Sequence, residues 1–339
     1  MESILAQTET NWELIVCDSF SNDGTWEYLQ QFKDDPRVRL HQVPKEGLYA
    51  GWNECLRRAN GEFIYIATAD DTMYPDCLER LTQPLRLCKE VGIAVGGVDY
   101  IDQAGVLMSS GVRQIHQFLE PHTKNTWCRI HGDTAFVMLT AFGWGLGSVT
   151  GFLFRRSLLD SNKAGFFPID LSFMGDCEWA LRAVLSMDVV WTSHPVATWR
   201  QHSGQASKPK DRVLEAWFFL ESLKRVLNAP SILPKSVLLV PGWKSILLQA
   251  RTRELEMACA LNIFEIRRDF WGFIRRFVYT LRISPLTALS RCLRIFSHPS
   301  HWNPSAVDIF RKSILTFQLS WPPSPIQADE HSENIEPAS

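Results

Sequence analysis

Residues 47–71 read GLYAGWNECLRRANGEFIYIATADD. Tyr49 to Ala59 carries apolar residues at helical spacing, and Asn60-Gly61 supplies the stop. Phe63 to Ala67 is a short apolar run, the pattern of a buried strand, and it leads straight into Asp70-Asp71. A helix, a tight turn and a strand ending in paired carboxylates predict a βα unit with acids at its carboxyl end.

The flanks repeat the alternation. Trp12 to Asp18 (WELIVCD) predicts a strand ending in an acid, and Ser21 to Thr25 is a turn with helix-start chemistry ahead of Trp26 to Phe32. Arg37 to Val43 and Ile93 to Ile101 predict strands, and Pro75 to Cys88 predicts a helix. This order predicts an α/β fold with a mostly parallel, Rossmann-like sheet covered by helices, which binds ligands beyond the carboxyl ends of its strands. From Leu107 to about Trp144 the pattern weakens. Phe152 to Leu159, Cys177 to Leu185 and Val189 to Thr192 restore it.

The polar segment Ser203 to Lys210 marks a boundary, so the expected organisation is residues 1–207 as an α/β domain and 208–320 as a helical region. A Pro-rich, then acidic tail, 321–339, is expected to be disordered. The chain of 339 residues is 45% hydrophobic and 21% charged, as a folded protein is. Its 35 basic and 37 acidic side chains leave a formal charge of −2, which gives no support to nucleic-acid binding. Nothing approaches 18 uninterrupted apolar residues, and no basic-then-apolar leader follows Met1. The eight cysteines are scattered without a C-x-x-C pair, which argues against a zinc site or disulfide scaffold and for a reducing compartment. A cytoplasmic protein is expected, soluble or peripheral on the inner face of a membrane.

Five segments could carry chemistry. Adjacent carboxylates past a buried strand are costly without a cation, and a Mg²⁺ or Mn²⁺ ion holding a diphosphate would relieve Asp70-Asp71; a solvated turn or helix cap before Pro75 is the plainer account. Asp18 is open between ligand contact and turn chemistry, and Asp23 reads as a helix cap. The glycines of Gly47 to Asn53 could bring N–H groups near a phosphate, though tight helix–strand packing is the plainer account of them. Asp176, at a helix start, could act as general base toward a sugar hydroxyl or merely cap the helix. His202 and Arg200 could face metal and phosphate, or be solvated in a polar loop.

In their order along the chain these segments resemble family-2 glycosyltransferases of the GT-A nucleotide-sugar fold. The matching pieces are SILAQTETNWELIVCDSFSNDGTWEYL, EGLYAGWNECLRRANGEFIYIATADD, TGFLFRRSLL, GDCEWALR and WRQHSGQAS, spanning residues 3 to about 207. The resemblance implies that Asp18 contacts the nucleotide base and that Asp70 and Asp71 match the metal-binding D-x-D and its neighbour. It implies that Asp176 is the catalytic base and that His202 completes the metal or diphosphate site. Asn53 and Arg200 join Asp18, Asp70 and Asp71 in the expected donor-binding set, and Asp70, Asp71 and His202 form the expected site for Mn²⁺ or Mg²⁺. The implied activity is inverting, metal-dependent transfer of a sugar from a nucleotide-sugar donor to a glycan, lipid-linked or protein acceptor. Two other readings are a catalytically impaired nucleotide-sugar or glycan-binding relative and, more remotely, a nucleotidyltransferase.

Several positions depart from the family pattern. Thr68 stands at the first acid of D-x-D, Trp52 replaces a frequent arginine, and Gly175 replaces the glutamate that usually precedes the base. Met1 falls within what should be the second element, so the family's opening strand and loop, roughly twenty residues of a βα unit, are expected upstream. Beyond the matching region, residues 251–312 hold eleven Arg or Lys against five Asp or Glu. Arg267 to Phe277 mixes cations with aromatics, which suits an anionic membrane surface or a packed helical cap with solvated arginines.

Overall fold

The computed structural model describes residues 1–110, 114–123, 126–143, 146, 148–171, 174–202, 204, 212–258 and 305–326. The strands are β1 (Leu14–Asp18), β2 (Val38–Gln42), β3 (Phe63–Tyr65), β4 (Thr72–Met73), β5 (Val91–Ile101), β6 (Leu107–Ser110), β7 (Cys128–Ile130), β8 (Phe152–Arg155), β9 (Asp188–Arg200) and β10 (Ser324–Pro325). The helices are α1 (Glu2–Leu5), α2 (Thr25–Leu29), α3 (Leu48–Arg58), α4 (Cys77–Leu87), α5 (Gln114–Thr123), α6 (Gly132–Phe142), α7 (Gly175–Ser186), α8 (Arg212–Leu227), α9 (Lys235–Leu238), α10 (Trp243–Ala258) and α11 (Ala306–Phe317).

The main sheet runs β10-β7-β9-β5-β8-β3, with β4 on β9 and β6 on β5, while β1 and β2 form a separate parallel pair. Within the main sheet only β5 and β9 run parallel among the described strands, so the expectation of a mostly parallel sheet is corrected to a mixed one. β8 follows the short turn Val149–Gly151 and lies antiparallel between β3 and β5.

Alternation along the central strands builds two cores. Ile93 and Val95 of β5, Phe152 and Phe154 of β8, and Val189 and Trp191 of β9 point to one face, where α6, α7, α8, α10 and α11 bury them. Val91, Ala94, Leu153, Val190 and Ala197 point to the other face, against Cys77, Leu81 and Leu85 of α4. Helix α6 lay in the stretch without a clear period. Thr134 to Ala141 are all buried, and a helix covered on every side has no polar face to show.

Where described, residues 208–320 are helical, but α8, α10 and α11 share the core of the sheet. The expected disordered tail is corrected at its start: Trp321 stacks on Phe118 at 5.2 Å, and Ser324–Pro325 pairs with β7. Residues 327–339, the boundary at 203–210 apart from Gly204, and the cationic stretch 267–277 lie outside the described residues. No helix among the described residues is long and apolar enough to cross a membrane.

Candidate active site

A cavity of about 1590 Å³ opens between the β1–β2 pair and the main sheet. Leu14 to Cys17 of β1, Tyr65 of β3 and the following residues 67–71 line it, as do Gly47 to Tyr49 at the start of α3, Thr150 and Asp176. Thus Asp70, Asp71 and Asp176, far apart in sequence, share one cavity. Lys45 is the one basic side chain among the described lining residues, and nothing in its sequence context singled it out.

The two adjacent aspartates have different surroundings. Asp71 Oδ2 accepts hydrogen bonds from Thr68 Oγ1 at 2.5 Å and Thr150 Oγ1 at 2.6 Å, and Asp71 Oδ1 accepts one from the Arg200 backbone N–H at 2.8 Å. Burial pushes its carboxyl pKa above the usual value against the pull of these donors. Asp71 therefore organises the turn, with both oxygens engaged by protein groups. Asp70 is more open, its Oδ2 lying 2.9 Å from His202 Nε2. The three residues expected to bind metal do not converge: no group of three or more His, Cys, Asp or Glu among the described residues could hold an ion. Asp70 and His202 nevertheless place a carboxylate and an imidazole side by side. Such a pair fits a divalent cation that takes its remaining oxygens from a diphosphate and water.

Thr68, at the position of the absent first acid, is used to hold Asp71. Arg200 also acts on this turn. Its Nε donates to the Asp70 carbonyl at 2.9 Å, and its Nη1 donates to the carbonyls of Asp102 and Gln103, both at 3.1 Å. The expected phosphate contact becomes a brace between the ends of β3, β5 and β9. Asn53 is likewise drawn away from a donor role. Its Nδ2 donates to the Phe167 carbonyl at 2.8 Å and its Oδ1 accepts the Phe167 N–H at 3.0 Å, in a buried two-way clamp. Asp18 is buried at the end of β1 with both oxygens turned onto Ser21. Asp23 accepts the Thr25 N–H at 3.1 Å from one position before the N-cap, which is Gly24, so the expected helix cap is corrected to a turn contact ahead of the helix.

The glycines of the α3 start are not explained by tight packing. A Cβ on Gly47 or Gly51 would meet nothing within 4 Å, and both residues line the cavity. Gly47 is fixed instead by its backbone, whose φ of +106° is strained for any side chain.

Asp176 is half-buried in the first turn of α7, with Oδ1 accepting the Cys177 N–H at 3.0 Å and the Tyr49 hydroxyl at 2.9 Å. Trp52 packs edge-on to Tyr49, with ring centroids 5.2 Å apart, and also against Phe167. Behind it, Trp179 of α7 stacks on Phe167 and donates its Nε1–H to the Gly165 carbonyl at 2.8 Å. This aromatic stack fixes α7 against α3 and so places Asp176 at the cavity wall.

The comparisons with known proteins bear on the fold and the family resemblance. Residues 1–160 match the model of glycosyl transferase family 2. Putative glycosyltransferase EpsE of Bacillus subtilis is 34% identical over 124 residues, 36% of this chain and 44% of EpsE. UDP-Glc:alpha-D-GlcNAc-diphosphoundecaprenol beta-1,3-glucosyltransferase WfgD of Escherichia coli is 29% identical over 107 residues, 32% of this chain and 42% of WfgD. The chain therefore spans less than half the length of either relative. Among solved structures, S. aureus TarS superposes with a TM-score of 0.56 at 15% identity, covering 85% of this chain and 47% of TarS. A shorter form of TarS, residues 1–349 in complex with UDP-GlcNAc, superposes at 0.50 and 17% identity over 83% of this chain and 86% of that one. The chain thus has the GT-A fold, and its residues 1–160 are similar to glycosyl transferase family 2.

Proposed function

We propose that this chain transfers a sugar, with inversion, from a nucleotide-sugar donor to a hydroxyl of a glycan, lipid-linked or protein acceptor. The observation that carries the reading is the shared cavity, which sets the Asp176 carboxylate and Asp70 on one space, with His202 in contact with Asp70. The names of TarS and WfgD favour a UDP-sugar donor, and that of WfgD favours a lipid-linked acceptor.

In the proposed step the acceptor oxygen forms a bond to the anomeric carbon as the bond from that carbon to the diphosphate oxygen breaks. The electron pair leaves with the nucleoside diphosphate, and the hydroxyl proton passes to Asp176. A divalent cation held by Asp70 and His202 would neutralise the departing diphosphate. Asp71, Thr68, Thr150 and Arg200 keep Asp70 in position, and Lys45 adds positive charge to the same cavity.

The reading is tested by incubating the protein with Mn²⁺ and a set of UDP- and GDP-sugars and measuring nucleoside diphosphate release. Release that disappears in Asp176→Asn supports it. One observation favours the second reading, an impaired donor-binding relative: Thr68 stands in place of the first acid of D-x-D and its hydroxyl is engaged by Asp71. Saturable donor binding with no diphosphate release would select that reading.

A further inference from the structure

Tyr49 occupies a position that the chemistry so far leaves unused. It is 4% exposed, lies in the first turn of α3 and lines the cavity, yet its hydroxyl reaches across to α7 and donates to Asp176 Oδ1 at 2.9 Å. Its ring is held on two sides, stacked on Phe167 at 6.1 Å and edge-on to Trp52 at 5.2 Å, so the hydroxyl has little freedom to leave.

A second observation comes from the neighbour of Asp176. A Cβ placed on Gly175 would lie 2.7 Å from Tyr49 Cδ2 and Cε2 and 2.7 Å from the Pro168 carbonyl oxygen. Contacts this short are not tolerated, and two of them are to a ring packed on both faces. The space that any side chain at 175 would need is thus filled by the Tyr49 ring. The absence of a carboxylate before Asp176 and the presence of Tyr49 are two sides of one packing arrangement.

We propose that Tyr49 is the positioning residue of the catalytic base: its hydroxyl, with the Cys177 N–H, fixes the rotation of the Asp176 carboxylate and lowers its proton affinity, and Gly175 is small so that the ring can reach. The inference rests on the assignment of Asp176 as base. Burial, reinforced by the negative charge of Asp176, pushes the Tyr49 hydroxyl well above its ordinary pKa. The phenol therefore stays protonated and remains a donor across the working pH range. A hydrogen bond given to the ionised form favours that form, so the base stays deprotonated to lower pH.

The test uses the full chain labelled with ¹³C at the aspartate carboxyls, with Asp176→Asn identifying the Asp176 signal. Tyr49→Phe keeps the ring and removes only the hydroxyl. Its melting temperature should stay close to that of the wild type while the Asp176 titration midpoint moves upward. With UDP-GlcNAc and Mn²⁺ as the probe, the acidic limb of diphosphate release should move upward too, with turnover falling about tenfold and donor affinity unchanged. Gly175→Ala, which displaces the ring, should shift the Asp176 midpoint in the same direction. An Asp176 midpoint unmoved in folded Tyr49→Phe would overturn the inference, whether or not the protein turns over this donor. Undiminished turnover in Asp176→Asn would instead overturn the base assignment, and the two failures are separately readable.

Discussion

The Asp71 carboxylate accepts the backbone N–H of Arg200 at 2.8 Å, tying the turn after β3 to the end of β9. Through this contact, and through the Arg200 side chain on the Asp70 carbonyl, the more open acid is held by the more engaged one. The pair Asp70-Asp71 is thus one open acid and one scaffold.

That division predicts opposite responses to truncation. Asp71→Ala leaves the hydroxyls of Thr68 and Thr150 and the Arg200 N–H without their acceptor, and should cost about 2 kcal/mol or more in a urea unfolding experiment. Asp70→Ala removes a contact to one half-exposed histidine and should change stability by less than about 0.5 kcal/mol. Equal losses in the two variants would contradict the division.

Asp71 also predicts a pH dependence. Its folded pKa lies above the ordinary carboxyl value because of burial, so the folded state keeps this proton to higher pH than the unfolded chain does. Its favourable contribution is fully present below the unfolded pKa and is lost as pH rises through the folded one. Relative to Asp71→Asn, which has no such proton to lose, the wild type should therefore become less stable as pH climbs from about 3.8 toward neutrality. Unfolding midpoints of both proteins across that range measure it, and a relative stability that rises with pH would have the wrong sign.

Asn53 should matter to the fold and not directly to the donor. Asn53→Ala strands the Phe167 N–H and carbonyl in a buried setting, at a cost of about 2–3 kcal/mol. Donor affinity measured on the folded protein at low temperature should be unchanged. Lost affinity at full stability would return Asn53 to the donor site.

The sequence made the alternating elements legible because β1, β3, β5 and β9 are short or continuous apolar runs bounded by turn residues, and α3 and α4 keep one polar face. It could not show the direction of β8, because its partners β3 and β5 are remote in sequence and met only in the folded sheet. It also could not show α6, whose burial on all sides erases its period. At the site, Asp70, Asp71 and Asp176 were legible as acids at element ends. The use of Asp71, Arg200 and Asn53 as braces was not, because their partners are Thr150, Asp102 and Phe167, remote in sequence and met only through the tertiary fold. Tyr49 gave no signal, since an aromatic at helical spacing reads as core, which its ring is; only its hydroxyl reaches the site.

The most direct measurement is equilibrium binding of UDP-GlcNAc with and without Mn²⁺ to the wild type, Asp70→Asn and Asp176→Asn. The account predicts saturable, Mn²⁺-dependent binding by the wild type, the same affinity in Asp176→Asn because that residue acts on the acceptor, and loss of the Mn²⁺-dependent binding in Asp70→Asn with its fold intact. Wild-type affinity in Asp70→Asn, or a loss confined to Asp176→Asn, would contradict it.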